Sequence, residues 1–173
     1  MKQKFLIFII LCFISCGGPR GNWSDPRVIL ISIDGLRGDI LNNPTYTKDY
    51  PNLTRLMADG EYCTNVQTVF PSLTYPSHAS MITGVTPAKH GIVNNRPFKP
   101  ENNFVDWYWY ADSIKVPTVV TKAEQNGLVT LGVSWPVSVG AKMDWMLPEI
   151  KSVNDTISTI DLVRKHDRPE SFL

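Results

Sequence analysis

The most constraining feature of the sequence is a continuous apolar run at residues 28–33 that ends in Asp34 and Gly35. Runs of this kind are typical of a central strand in a sheet that is covered on both faces. In open α/β sheets, ligand chemistry gathers at the carboxyl ends of the strands, where Asp34 would lie. The run therefore predicts a parallel sheet with a carboxylate at its functional edge. For Asp34 alone, a structural turn ahead of Gly35 is an equally good interpretation.

A second feature, residues 70–84, predicts a helix that begins beside a hydroxyl group. Pro76 suits the first helical position, where its missing N–H costs nothing, and Gly84 suits the end of the helix. Thr74 would then lie at or beside the N-cap, where unpaired N–H groups and the positive end of the helix dipole face outward. A hydroxyl at such an anion site suits attack on a phosphate or sulfate ester. The alternative is that Thr74 only caps the helix.

The two features have a sharper joint interpretation. A carboxylate beside a nucleophilic hydroxyl can bind one divalent metal ion, and the metal lowers the pKa of the hydroxyl. Asp34 and Thr74 could form such a pair. The sequence leaves open whether the two groups meet in space.

These residues belong to motifs that resemble the nucleotide pyrophosphatase/phosphodiesterase family of the alkaline phosphatase superfamily, in the family's order and spacing. The matching segments are 31–37 (ISIDGLR), 51–56 (PNLTRL), 70–78 (FPSLTYPSH), 83–84 (TG), 90–95 (HGIVNN) and, more weakly, 133–136 (VSWP). The resemblance implies an α/β fold, the N-terminal portion of an alkaline-phosphatase-like three-layer sandwich with a mostly parallel central sheet.

The same resemblance implies roles for four residues. Asp34 would be a zinc ligand, and Thr74 would be the nucleophile that touches the same zinc, in a family that uses two Zn²⁺ ions. Asn95 would hold a phosphoryl oxygen together with the backbone N–H of Thr74. Tyr75 would stack on the leaving nucleoside of the substrate. The implied reaction is hydrolysis of phosphodiester or pyrophosphate bonds in nucleotide-like substrates through a phosphothreonine intermediate.

The segment after the predicted strand at 128–135 bears on the choice of substrate. Phosphate monoesterases related to the family often carry a Lys-x-Arg pair there, which grips the extra phosphate charge. Lys142 has no arginine two positions on, which favours a diester or pyrophosphate. A phosphate monoesterase of the same superfamily is the alternative. A sulfatase ranks last, because it would need a cysteine or serine in place of Thr74.

In the family, further metal ligands come from downstream motifs of the form Asp-x-x-x-His, Asp-His and a late His. After Asn95 this sequence has one histidine, His166, and none of these motifs. We therefore expect a C-terminally truncated member that carries only the nucleophile half of the site. It would be a fragment of a longer enzyme or a catalytically inactive lipoprotein.

The N-terminus predicts export with a lipid anchor. A basic start is followed by an apolar run at residues 5–14, which is too short to span a bilayer as a stable helix. Cys16 lies in a segment that resembles a bacterial lipobox. We expect a signal peptide at 1–15, a lipidated tether at 16–26 and the catalytic-domain portion at 27–173. The expected location is the bacterial cell envelope, in the outer membrane or facing the periplasm, and a plain secretion signal is the alternative.

Composition adds limits on partners. The chain is 43% hydrophobic and 19% charged, which is ordinary for a globular protein. Its formal net charge of +1 gives no reason to expect binding to a nucleic-acid polymer. The expected partners are a small-molecule phosphodiester or nucleotide and, through the lipid, a membrane; the oligomeric state is not fixed. Cys63 would stand alone in the mature chain, and we expect it to be buried and inert.

Periodicity and turn residues predict the remaining elements. Helices are expected at 51–60, 117–126 and 154–166, strands at 61–69 and 128–135, and loops at 42–50 and 85–100. A further strand should begin at 168. The aromatic cluster at 107–110 either packs a loop onto the domain, which we favour, or lines a substrate groove. We expect His78 and His90 to be structural and His166 to be solvated.

Overall fold

The computed structural model describes residues 27–63, 65–100, 106–152 and 157–169. The chain divides into two compact units, Met1–Gly35 and Leu36–Leu173. Residues 27–35 of the first unit form neither helix nor strand, and their apolar side chains are exposed, with Val28 at 95%. The strand predicted at 28–33 is therefore wrong for this structure. A strand needs a neighbour for its N–H and C=O groups, and within the described ranges no strand pairs with residues 28–33.

The regular secondary structure in the described part of the second unit is mainly helical. Its α-helices are α1 Pro44–Thr47, α2 Pro51–Asp59, α3 Thr74–Thr83, α4 Pro87–His90, α5 Val119–Gln125 and α6 Thr159–His166, with 3₁₀ turns at Ile40–Asn42 and Ala111–Ser113. The helices predicted around α2, α3, α5 and α6 are confirmed. Loops had been predicted where α1 and α4 lie. Each of these helices starts at a proline, whose fixed φ suits a first helical position.

The sheet is small and parallel. β1 (Leu131–Val133) pairs with β2 (Trp145–Leu147), with Gly132 opposite Met146. The carboxylate of Asp144 fixes the start of this pairing, because Oδ2 accepts from the N–H of Thr130 at 2.7 Å and from its hydroxyl at 3.1 Å. Since β1 follows α5, the helix-then-strand order expected of an α/β unit is present.

Two other strand predictions agree only in part, or not at all, with the structure. The strand at 128–135 is shorter than expected, and residues 61–63 and 65–69, where a strand was also predicted, form neither helix nor strand. Cys63 is consequently exposed, and the prediction that it is buried is wrong. Arg168 forms an isolated antiparallel bridge with Met146, at the point where a further strand was expected.

Residues 1–26, including Cys16 and the expected signal peptide, lie outside the described residues. In the described part of the chain, no helix is long and apolar enough to cross a membrane.

The core gathers around one face of α3. It consists of the buried residues Tyr75, Ala79, Ile92, Trp109, Val137, Val139 and Ile150. The aromatic segment, residues 107–110, lies against residues 137–139. The N–H of Val139 donates to the carbonyl of Trp109 at 3.0 Å, and the N–H of Ala111 donates to the carbonyl of Val139 at 2.9 Å. The prediction that these aromatics pack a loop onto the domain is confirmed. Full burial of one valine or isoleucine side chain in this core stabilises the folded state by about 1.5–3 kcal/mol.

One core residue is strained. Val137 is 1% exposed and has φ of +58°, in the left-handed region that β-branched residues rarely adopt. Such a conformation costs on the order of 1–3 kcal/mol and persists only where the surroundings impose it. Here the surroundings are the core packing of the side chain and the pairing of residue 139 with the aromatic segment.

Replacing Gly84 tests the end of α3. Gly84 has φ of +69°, and a Cβ added there would meet nothing within 4 Å, so the only cost of alanine is conformational. We expect Gly84→Ala to lower the free energy of unfolding by about 1 kcal/mol in urea denaturation. Met81→Ala, at an exposed position of the same helix, should change it by less than about 0.5 kcal/mol. An unaffected Gly84→Ala variant would show that the left-handed end of α3 is absent in solution.

Candidate active site at the start of helix α3

α3 begins at Thr74 without a side-chain cap. The N-cap residue is Leu73, whose side chain has no hydrogen-bonding group, and the first helical bond runs from the N–H of Ser77 to the carbonyl of Leu73 at 3.0 Å. Thr74 is therefore beside the N-cap, as predicted, and is half-buried. Pro76 is the third helical residue and not the first. Its missing N–H still costs nothing, because N–H groups of a first turn have no partner within the helix.

Asn95 reaches the same helix end from the loop after α4. Its side-chain Oδ1 accepts a hydrogen bond from the N–H of Tyr75 at 3.0 Å. Its own backbone is held on both sides, because its N–H donates to Oδ1 of Asn94 at 2.7 Å and its carbonyl accepts from the N–H of Tyr108 at 3.1 Å. The structure thus brings Thr74, Tyr75 and Asn95 together. The partner of the Asn95 oxygen is the N–H of Tyr75, which the sequence did not reveal.

Tyr75 has a different environment from the one expected. Its side chain is 0% exposed and packs against two indole rings that stack on each other, with its ring centroid 5.2 Å from that of Trp107 and 6.1 Å from that of Trp109. Burial raises the pKa of the Tyr75 phenol above its ordinary value, and the negative charges of Glu149 and Asp106 add to that rise. The prediction that Tyr75 stacks on a substrate does not match this geometry, because a fully buried ring presents no face to a ligand.

His78 contacts the first residue of the helix. Its Nδ1–H donates to the carbonyl of Thr74 at 2.7 Å, and the buried imidazole lies edge-on against Trp135 with the ring centroids 5.1 Å apart. Residues four positions apart in a helix are neighbours, so the contact between His78 and Thr74 could have been predicted from the sequence.

His90 ties α4 to α3. Its Nδ1 accepts from the N–H of Ile92 at 3.1 Å, and Nε2 lies 2.9 Å from the hydroxyl of Ser80. Burial lowers the pKa of His90, while a bond with the backbone of Pro76 opposes that shift. The imidazole is therefore neutral and part of the packing, as expected of a structural histidine. His166 is half-buried against the ring of Tyr110, so the prediction that it is solvated is wrong.

Asp34 lies in the first unit, in a turn with Gly35, whose φ is +73°. It is exposed, which fits the turn interpretation; that it shares a metal ion with Thr74 stays a prediction. In the described ranges, no group of three or more His, Cys, Asp or Glu side chains could hold a metal ion. Zinc takes four ligands, so Asp34 and Thr74 do not make a zinc site by themselves.

The helix end is positively polarised. The N-terminus of a helix carries a partial positive charge. The guanidinium of Arg96, the residue after Asn95, lies 5.3 Å from the ring centroid of Trp107 and adds a full charge beside the same loop. A threonine hydroxyl at such a position, flanked by a carboxamide, is typical of α/β proteins that bind an anionic group such as a phosphoryl at a helix N-terminus.

Comparisons with known proteins agree with this class. Residues 28–169 match the family model of type I phosphodiesterase / nucleotide pyrophosphatase, and the chain belongs to that family, within the alkaline phosphatase superfamily. It is 29% identical over 143 residues to the bis(5′-adenosyl)-triphosphatase ENPP4 of Bos taurus. The matched region covers 79% of this chain and 30% of that protein.

Solved structures give the same fold. Murine ectonucleotide pyrophosphatase/phosphodiesterase 5 superposes with a TM-score of 0.53 at 27% identity, over 70% of this chain and 34% of that one. An inactive threonine-to-alanine form of that murine protein in complex with AMP also superposes with a TM-score of 0.53, at 26% identity, over 78% of this chain and 36% of that one. The chain spans about a third of the length of these relatives.

The buried histidine predicts a pH dependence of stability. Because burial lowers the pKa of His90, the folded protein binds fewer protons than the unfolded chain near pH 6. The free energy of unfolding should therefore fall as the pH drops below the unfolded value of about 6.5. His90→Asn should be less stable at pH 7 but should lose less on acidification, as measured by urea denaturation at pH 7 and pH 5.

The matched control is His166→Asn. The pKa of His166 is also lowered, by burial and by the charge of Lys165, so this variant measures how much of the pH dependence of stability comes from that half-buried histidine. An unchanged pH dependence in His90→Asn would assign the titration to a different group.

Proposed function

We propose that this chain supplies the nucleophile-bearing part of a hydrolase of phosphodiester or pyrophosphate bonds, with nucleotide-like small molecules as substrates. One observation carries the proposal. The Asn95 oxygen is held by the N–H of Tyr75 at 3.0 Å, which fixes a carboxamide beside the hydroxyl-bearing first residue of α3. With its oxygen engaged there, the amide nitrogen is the end of the side chain that can donate to a phosphoryl oxygen.

The chemistry assigned to Thr74 is nucleophilic. Its Oγ1 attacks phosphorus, its proton passes to solvent, and the bond from phosphorus to the leaving oxygen breaks as that oxygen takes up a proton. A water molecule then attacks phosphorus and gives up a proton to solvent, the bond from phosphorus to Oγ1 breaks, Oγ1 takes up a proton, and the phosphate-containing product leaves. The charge on the non-bridging oxygens is stabilised by the helix N-terminus and by the Asn95 amide, which are fixed before the reaction begins.

The substrate class rests on two supports. The relatives named above are a bis(5′-adenosyl)-triphosphatase and a nucleotide pyrophosphatase/phosphodiesterase, the second in complex with AMP. In addition, Asp144 stands two positions after Lys142, where a related monoesterase would have an arginine. Without that arginine, the chain lacks the pair of cations that grips the extra charge of a phosphate monoester in such monoesterases.

The proposal for metal binding covers only two residues of this chain. We propose that Asp34 and Thr74 are the residues that this chain contributes to a zinc centre. Because they are fewer than the four ligands of zinc, no step of the mechanism above is assigned to a metal.

Replacing Thr74 tests the nucleophile. We expect Thr74→Ala to reduce the release of nitrophenol from a nitrophenyl phosphodiester by about 10³-fold or more, because the group that bonds to phosphorus is gone. Thr74→Ser should keep part of the activity. Thr86→Ala is the matched control, because Thr86 is exposed and its side chain caps nothing. Acid-quenched protein should carry on Thr74, by mass spectrometry, the phosphoryl group together with the ester that remains after nitrophenol has left. Full activity in Thr74→Ala would refute the assignment.

The same assay tests the substrate class. With zinc added, the diester should be cleaved faster than nitrophenyl phosphate, since no arginine stands two positions after Lys142 to bind a second anionic oxygen. Equal or inverted rates would support the monoesterase alternative. Release no faster than with zinc alone would support a catalytically inactive lipoprotein.

Export and lipid anchoring complete the proposal. We propose that Cys16 is lipidated and holds the protein in the bacterial envelope. Cells that express the chain with labelled palmitate should incorporate label, and Cys16→Ala should abolish it and move the protein from the membrane to the soluble fraction. Cys12→Ala, within the predicted signal peptide, is the control and should keep the label. Loss of label in both variants, or in neither, would contradict lipidation at Cys16.

A further inference from the structure

The peptide unit that joins Thr74 to Tyr75 is held at both ends. Its carbonyl, from Thr74, accepts from Nδ1–H of His78 at 2.7 Å, and its N–H, from Tyr75, donates to Oδ1 of Asn95 at 3.0 Å. A peptide unit is planar, so two bonds at its opposite edges fix the orientation of the whole plane. That plane is attached directly to the Cα that bears the Thr74 hydroxyl.

We propose that His78 is a positioning residue for Thr74, which together with Asn95 clamps the peptide unit that follows the nucleophile; this rests on the function proposed above. The N-cap residue Leu73 has no hydrogen-bonding side chain, so the first turn of α3 lacks the usual local restraint on a helix end. The bond from His78 supplies a restraint from inside the helix. It leaves the outward face of the helix end open for an anion.

His78 is itself fixed, as a positioning residue must be. Its side chain is buried and its ring lies edge-on against Trp135, which limits the rotamers that the imidazole can adopt. Asn95 is fixed as well, since Asn94 and Tyr108 hold its backbone. The clamp therefore joins three segments: α3, the loop after α4 and the start of the aromatic segment.

The chemistry of the bond specifies the test. A carbonyl oxygen can only accept, so Nδ1 of His78 must carry the hydrogen. An asparagine places its amide nitrogen near the position of Nδ1 and can keep this bond. A leucine of similar bulk cannot.

In the nitrophenyl diester assay, we expect His78→Leu to lower kcat by about 10- to 100-fold and to change KM by less than about 3-fold, because a small misplacement of a reacting group costs this much. His78→Asn should keep kcat within about 3-fold of the parent. His166→Leu, a histidine lost from α6, is the control for loss of an imidazole and should leave kcat unchanged. Equal losses in the leucine and asparagine variants would overturn the proposal.

A second measurement does not depend on turnover. Long-range ¹H–¹⁵N correlations of the His78 ring in labelled protein should show hydrogen on Nδ1, and hydrogen on Nε2 alone would overturn the proposal. The N–H of Tyr75 should exchange with solvent at least about 10-fold faster in His78→Leu than in the parent, and His78→Asn should restore its protection. An unchanged exchange rate in His78→Leu would also overturn it.

The two measurements separate this inference from the function on which it rests. If Thr74→Ala keeps full activity, the nucleophile assignment fails, and the nitrogen spectra still decide whether the peptide unit is clamped. If the spectra show Nε2–H while Thr74→Ala is inactive, the function stands and the clamp fails.

Discussion

Burial of Tyr75 is the interaction on which the rest of the site depends. Its ring packs in the core against the stacked indoles of Trp107 and Trp109, and its backbone N–H donates to Asn95. One residue thus anchors the first turn of α3 to the aromatic segment through its side chain and to the loop after α4 through its main chain. The residue beside it, Thr74, is positioned by a core contact and not by a surface loop.

The start of α3 combines an uncapped end with fixed neighbours. A serine or aspartate at the N-cap would satisfy the N–H groups of the first turn but would also occupy the place where an anion can bind. Leu73 leaves that place open. The resulting loss of local stability is offset by contacts that reach the helix from elsewhere, since His78 and Asn95 both bond to groups of the first turn.

The sequence predicted the features that local signals encode. α3 was expected because Pro76 and Gly84 mark a start and an end within one short segment, although the helix begins two residues before Pro76, and the matching motifs placed Asn95 at the same site. The strands at 28–33 and 61–69 were not correctly predicted, because a strand depends on partners that are distant in sequence. The burial of Tyr75 escaped prediction for the same reason: it is produced by indole rings more than thirty residues away. Which N–H the Asn95 oxygen binds is a matter of loop geometry that no motif records.

The strained conformation of Val137 has a consequence for how this position can change. Glycine would relieve the backbone, because it adopts positive φ freely, but it would leave a cavity where the valine side chain is buried. A larger apolar residue would keep the contact but would retain the strain in a closely packed core. Glycine thus relieves the backbone strain but loses core packing, and a larger residue keeps the strain and adds crowding. Valine is held at this position by two opposing requirements, so homologous or designed sequences should exchange it only together with a neighbour in the core.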